Sequence, residues 1–158
     1  MLKVGNKLNN FSATTGNSQR VSLQDYRGKN LLLYFYPKDN TAGCTTERQD
    51  FRDAGEQFDV LNTVVLGVSR DSPASHLRFA TKHQFNFDLL SDEDESLCRQ
   101  FDVIHMKKLY GREYLGIERS SFLIDAQGIL RREWRKVRVK GHVEAVLQAI
   151  AEMEQESS

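Results

Sequence analysis

Tyr34-Phe35-Tyr36-Pro37-Lys38-Asp39-Asn40-Thr41-Ala42-Gly43-Cys44-Thr45-Thr46-Glu47 decides how this chain is read. The apolar run Leu31-Leu32-Leu33 continues into Tyr34-Phe35-Tyr36 with no polar alternation, the pattern of a strand covered on both faces. Pro37 ends that strand, since it has no N–H to give a sheet ladder. Asp39, Asn40 and Gly43 are turn formers, and Thr45, Thr46 and Glu47 fit the first turn of a helix. This order sets the Cys44 sulfur at a helix N-terminus, where free N–H groups and the positive end of the backbone dipole favour an anion. The thiolate is the nucleophilic form of cysteine. A free cysteine is more commonly a small buried hydrophobe. What singles this one out is its place after a strand and loop, with the hydroxyls of Thr41, Thr45 and Thr46 close by in sequence.

Outward from that stretch, strand and helix signals alternate. Residues 1–29 are polar and turn-rich, with short strand-like pieces at Phe11–Thr15 and Arg20–Ser22 and a hairpin turn at Gly16-Asn17. A helix from Cys44 to about Phe58 carries Phe51, Ala54 and Phe58 as its packing stripe, although Gly55 weakens it. Asn62 to Ser69 is a second buried strand. Ser72-Pro73 starts a helix that runs to about His83. Phe87 to Leu90 is a third strand, and the acidic 91–95 stretch leads a helix over 92–101. Residues 102–118 form an arm bracketed by Gly111 and Gly116. Ser121–Ile124 and Ile129–Val139 are the last strands, joined at Ala126-Gln127-Gly128. A final helix from Gly141 to about Glu154 repeats Val143, Val146, Leu147, Ile150 and Met153 at helical spacing. The pattern predicts an α/β architecture, a central mixed sheet with helices on both faces.

Pro37-x-x-x-Thr41-x-x-Cys44 resembles the active-site signature of the peroxiredoxins. The longer string Tyr34 to Glu47 resembles their bacterioferritin-comigratory-protein branch, PrxQ. Further likeness lies at Gly116-Ile117-Glu118-Arg119-Ser120-Ser121-Phe122-Leu123-Ile124-Asp125 and at Val137-Arg138-Val139-Lys140-Gly141-His142, so the resemblance spans nearly the whole chain. It implies a thioredoxin-like fold and a thiol peroxidase needing no metal or organic cofactor. It also implies roles. Cys44 is the peroxidatic nucleophile, Arg119 stabilises the thiolate and holds a peroxide oxygen, Thr41 hydrogen-bonds the peroxide, and Pro37 shields the sulfur. Glu47 sits behind Arg119 and orients it. On the residues alone each has a plainer reading: a surface arginine, a local turn hydroxyl, a strand terminator and a carboxylate complementing a helix dipole.

Many members of that branch carry a second cysteine five residues after the first, where this chain has Gln49; others carry it on the next helix, and 73–84 has none. The other thiol is Cys98, beside Leu97 and three residues before Phe101. A buried structural thiol is the preferred reading there, with a resolving cysteine second. A one-cysteine cycle follows, closed by thioredoxin, or by glutathione with glutaredoxin.

Composition narrows the alternatives. The 158 residues suit one domain over 1–158, and Lys+Arg and Asp+Glu both total 22, so no charge excess calls for nucleic acid or an acidic membrane. No apolar run reaches the length of a membrane span, and Met1-Leu2-Lys3-Val4-Gly5 lacks the apolar core of a signal peptide, so the cytoplasm is the default expectation. The expected assembly is a monomer, with a dimer as the alternative. The basic run Arg131–Lys140 reads as a strand with one solvated face, and His76, His83, His105 and His142 show no metal-ligand spacing. The competing class is a thioredoxin-fold binding or chaperone module without turnover.

Overall fold

The computed structural model describes residues 2–39, 41–83 and 89–156. Its centre is β3 (Asn30–Phe35), buried at every position. Leu31, Leu33 and Phe35 enter one apolar core, and Leu32, Tyr34 and the following Tyr36 enter the other. That two-sided burial is what the unbroken apolar run foretold.

Parallel to β3 lies β4 (Thr63–Ser69), and β5 (Leu89–Ser91) is parallel to β4. On the other side β8 (Ser120–Ile124) and β9 (Leu130–Trp134) add antiparallel strands. β1 (Ser12–Thr15) and β2 (Arg20–Ser22) extend the sheet beyond β5, giving the order β2-β1-β5-β4-β3-β8-β9. Gly67 pairs with Tyr34 across β3 and β4. A Cβ there would stand 2.6 Å from the Tyr34 ring, so the glycine makes room for the tyrosine.

α1 (Ala42–Asp53), α2 (Gly55–Val60), α3 (Pro73–His83) and α5 (His142–Glu156) cover one face. They contribute Cys44, Phe51, Phe58, Phe79, Val146 and Ile150 to its core. The other face is covered by the N-terminal segment, a 3-10 turn (Leu23–Tyr26) and α4 (Ser96–Gln100). The mixed sheet with helices on both faces is the expected class.

Several boundaries differ from the sequence reading. The helix expected over 44–58 begins at Ala42 and divides at Ala54, whose ψ of 8° leaves helical geometry before Gly55. The helix expected over 92–101 is only α4. Glu95 takes a left-handed φ of 63°, and the Asp92 carboxylate is spent on capping, accepting from the N–H groups of Leu97 (2.9 Å) and Cys98 (2.6 Å). The strand expected over 129–139 stops at Trp134. Lys136 turns to φ 52°, and Val137 N–H bonds the Arg119 carbonyl. The arm at 102–118 is a hairpin, β6 (Ile104–Leu109) with β7 (Arg112–Ile117), turned by Tyr110 and Gly111, both at positive φ. Of the strand expected at 87–90, Phe87 and Asp88 lie outside the described residues, as does the turn residue Asn40. The basic run is tied into the fold: Arg131 pairs with Asp125 and Glu156, Arg132 with Glu156, and Arg135 bonds the carbonyls of Phe101 and Asp102. Among the described residues no helix is long and apolar enough to cross a membrane.

Candidate active site

Thr41 is the N-cap residue of α1, and Thr45 N–H is the first to bond back, to the Thr41 carbonyl at 2.9 Å. Helix geometry leaves the N–H groups of Ala42, Gly43 and Cys44 without intrahelical acceptors. Cys44 therefore stands in the first turn of a twelve-residue helix, 2% exposed, packed with Tyr36 and Leu32.

Arg119 reaches it from the residue just before β8. Its Nη2 donates to Cys44 Sγ at 3.3 Å and its Nη1 donates to Glu47 Oε1 at 2.5 Å. Gly43 is what lets the guanidinium lie so close to the helix, because a Cβ there would stand 3.2 Å from Nη2. Glu47 follows Cys44 by three positions, nearly one helical turn, so both side chains meet the same guanidinium. Burial pushes the Glu47 carboxyl up to about 7, against the pull of Arg119. Its second oxygen, Oε2, is buried with no hydrogen-bond partner. Burial acts against the charge of Arg119 as well, but Glu47 and Cys44 together hold its affinity for its proton above the ordinary value.

Pro37 is half-buried at the end of β3. The exposed Thr41 does not donate toward Cys44: its hydroxyl gives its hydrogen to the Lys38 carbonyl at 3.0 Å, which leaves the oxygen free to accept. Gln49 is on α1. Cys98 packs with Leu33, Phe35 and Phe101 in the core on the opposite face of the sheet from Cys44. Burial, and after it the Asp92 carboxylate, push the Cys98 thiol far above its ordinary range. Both cysteines are free.

Three features were not anticipated. Lys107 projects from β6 on the hairpin face it shares with Tyr114 and Gly116, whose Cβ position lies 3.2 Å from Lys107 Cδ. Its ammonium is lowered by burial and then by Arg119, and drawn up by Cys44, so it belongs to the same electrostatic neighbourhood. His142 is buried behind the site with Nε2 2.8 Å from Ser121 Oγ; burial and then Arg119 push it down to about 4, so it is a neutral ring at physiological pH. Asp39 and His76, read in sequence as a turn residue and an isolated histidine, form a buried pair at 2.8 Å.

Asp39, Asp71 and His76 each bring one ligand atom within 4.8 Å of the others. Those atoms already serve one another and their neighbours: Asp39 accepts from Tyr36 and Ser75, and Asp71 accepts from Ser69 and the Asp39 N–H. The set is a closed hydrogen-bond network, not an open cation cage. A groove of about 710 Å³ runs from Ala42 and Gly43 between α1 and the start of α5, floored by Ala54, Val139, Val143 and Leu147.

The model of the AhpC/TSA family matches residues 4–133. Peroxiredoxin Bcp of Bacillus subtilis is 49% identical over 152 residues, 96% of this chain and 97% of that protein. Peroxiredoxin Bcp of Xanthomonas campestris is 51% identical over 131 residues, 83% of this chain and 82% of that one. Among solved structures, the bacterioferritin comigratory protein of X. campestris, studied for alkyl peroxide reduction, superposes with a TM-score of 0.86 at 46% identity, over 90% of this chain and 91% of that chain. A cysteine-to-serine mutant of Xylella fastidiosa PrxQ gives 0.91 at 42% identity, over 100% and 99%. The chain belongs to the AhpC/TSA family and, within it, to the thioredoxin-fold peroxiredoxins of the Bcp/PrxQ type, which are thiol peroxidases.

Proposed function

We propose that Cys44 is the peroxidatic nucleophile of this thiol peroxidase, acting on hydrogen peroxide and organic hydroperoxides in a one-cysteine cycle. The observation that carries this reading is the Arg119 guanidinium bonded to Cys44 Sγ at 3.3 Å and steadied by Glu47. The Cys44 thiolate attacks the near oxygen of R–O–O–H, forming an S–O bond as the O–O bond breaks. Sulfur keeps the hydroxyl as a sulfenic acid, and the leaving RO⁻ takes a proton to become water or an alcohol. Arg119 and the free N–H groups of the first helical turn are placed to stabilise the negative charge in that transition state. Thr41, with its own hydrogen held by Lys38, accepts from the peroxide O–H. Pro37 limits water at the sulfur. The apolar floor of the adjoining groove suits the substituent of an organic hydroperoxide.

The family implies a reducing thiol as second substrate. Cys98 lies across the sheet from Cys44 and no cysteine stands at Gln49, so we assign Cys98 to the core and the reductant to an outside thiol: thioredoxin, or glutathione with glutaredoxin. We place the protein in the cytoplasm as a monomer, where such thiols are abundant.

Intact mass after one equivalent of hydrogen peroxide, with and without a sulfenic-acid trap, tests this on wild type and Cys98→Ser. Both proteins should be trapped once, at Cys44. Loss of two hydrogens in wild type alone would make Cys98 the resolving cysteine. No oxidation at Cys44 in either would sink the peroxidase assignment and leave the binding or chaperone module.

A further inference from the structure

Lys107 pairs with Tyr114 across the β6–β7 hairpin, yet its Cδ and Cε lie 3.2 and 3.5 Å from the Cβ position of Gly116. Gly116 pairs with His105, two positions nearer the base of the hairpin, and precedes Arg119 by three residues. The stem of Lys107 therefore crosses diagonally to β7 and leads its ammonium toward the strand end from which Arg119 reaches Cys44. A residue without a side chain keeps that path open. The Tyr114 ring lies over the same glycine, 3.1 Å from its Cβ position. The half-buried ammonium has no ion-pair partner among the described residues, because the acids around it are engaged elsewhere. Glu118 Oε2 lies 3.3 Å from His105 Nε2, and Glu113 Oε1 lies 3.5 Å from Lys108 Nζ. Glu47 serves Arg119, and Glu95 serves Arg70 at 3.1 Å. What the Lys107 charge faces is Arg119 and Arg70, which oppose it, and Cys44 and Glu118, which favour it.

Oxidation upsets this balance. When the Cys44 thiolate attacks R–O–O–H, its negative charge departs with RO⁻, and the sulfenic acid left behind is neutral. Lys107 keeps both guanidinium groups beside it and loses an anion. We propose that Lys107 is a specificity-determining residue of the reductive half-reaction: its ammonium receives the carboxylate of a small anionic thiol and so favours that thiol over neutral and cationic ones. This inference rests on the one-cysteine reading above and names the class of its reductant. The step is R–SH + Cys44–S–OH → Cys44–S–S–R + H₂O, in which an S–S bond forms, the S–O bond breaks, and the departing hydroxide takes the thiol proton. A second thiol then completes the cycle by R–SH + Cys44–S–S–R → Cys44–SH + R–S–S–R. The carboxylate restores at Lys107 the negative charge that oxidation removed. Glutathione, with two carboxylates to one ammonium, belongs to this class of thiol.

The test uses three small thiols: mercaptopropionate, mercaptoethanol and cysteamine, which carry a carboxylate, a hydroxyl and an ammonium. Wild type, Lys107→Arg and Lys107→Met are each oxidised with one equivalent of hydrogen peroxide and checked for a trappable Cys44 sulfenic acid. Each is then mixed with each thiol, and intact mass follows the mixed disulfide. The readout is the ratio of the mercaptopropionate to the cysteamine rate constant, compared between proteins. That comparison cancels the intrinsic reactivity of each thiol and any general effect of the substitution on the sulfur. The ratio should fall about 5–10-fold in Lys107→Met, the scale for a half-buried charge pair, with the mercaptoethanol rate moving least. Lys107→Arg should keep the wild-type ratio. Raising the ionic strength from about 0.05 to about 0.5 M should narrow the ratio in wild type, which tests the inference even if Lys107→Met does not fold. An equal ratio in wild type and Lys107→Met, with Cys44 trapped in both, would overturn the role of Lys107 and leave the one-cysteine peroxidase standing. So would a wild-type ratio indifferent to salt, or a fall in Lys107→Arg as large as in Lys107→Met, since the charge would then not matter. A wild type with no trappable sulfenic acid would overturn the one-cysteine reading and this inference with it.

Discussion

Glu47→Gln should change the way stability varies with pH. In the native protein the Glu47 carboxyl is 1% exposed and its affinity for a proton is raised by burial from 4.5 to about 7. The folded state therefore binds that proton more tightly than the unfolded chain does. Stability from this group is fully present below pH 4.5, falls as pH rises, and is lost above about 7. From 4.5 to about 7, at about 1.4 kcal/mol for each tenfold change in proton affinity, the loss is roughly 3 kcal/mol. Glutamine is neutral in both states and keeps an oxygen for Arg119 Nη1, so the variant should match wild type near pH 4.5 and exceed it by up to about 3 kcal/mol at pH 8. The assay is urea unfolding of both reduced proteins at pH steps from 4.5 to 8. Titrations common to both proteins cancel in the difference between the curves. Activity should move the other way, since Arg119 loses its anionic partner. Parallel stability curves through the window would refute the reasoning and mean that Glu47 stays charged throughout.

Arg119→Met keeps bulk but removes both donors, and should slow Cys44 oxidation about 10²–10³-fold, the cost of removing an oxyanion-type donor. Stopped-flow mixing with hydrogen peroxide measures it, and a loss below tenfold would displace Arg119 from the site. Gly67→Ala places a Cβ 2.6 Å from the Tyr34 ring and 2.7 Å from Leu89. It should cost about 1–3 kcal/mol through overpacking, read as a lower urea midpoint; an unchanged midpoint would show that the Tyr34 ring can move aside.

The layers of the fold were legible because β3 and the final helix carry unambiguous periodicity. Boundaries were less so, for local reasons that composition hides. Asp92 sat in an acidic run that reads as a first helical turn, yet its carboxylate caps the backbone several residues later, and Glu95 takes a left-handed φ. The 102–118 hairpin alternates poorly because Met106, Tyr110, Tyr114 and Leu115 are exposed. Its sign in the sequence was Gly111, which takes positive φ without cost, whereas the positive φ of Tyr110 beside it has no signal in the sequence. The proximity of Cys44, Glu47 and Arg119 was foreseeable only through the family likeness, since 75 positions separate the sulfur from the guanidinium. Lys107, His142 and the Asp39–His76 pair had no local signal. Each joins the site or its support through pairing between segments distant in sequence.

The sheet separates the two sulfurs, and in the one-cysteine cycle proposed above this governs how the oxidised molecule recovers. An internal disulfide would form at a rate independent of the surroundings. In that cycle the return is bimolecular, so the lifetime of the sulfenic acid would scale inversely with the thiol concentration outside. At steady state the oxidised fraction reports the ratio of peroxide to reductant. When thiol is scarce a second peroxide competes for the same sulfur and carries it to the sulfinic state, from which thiols do not return it. In that cycle each molecule would be a timer as well as a catalyst, with the clock rate set by its solvent.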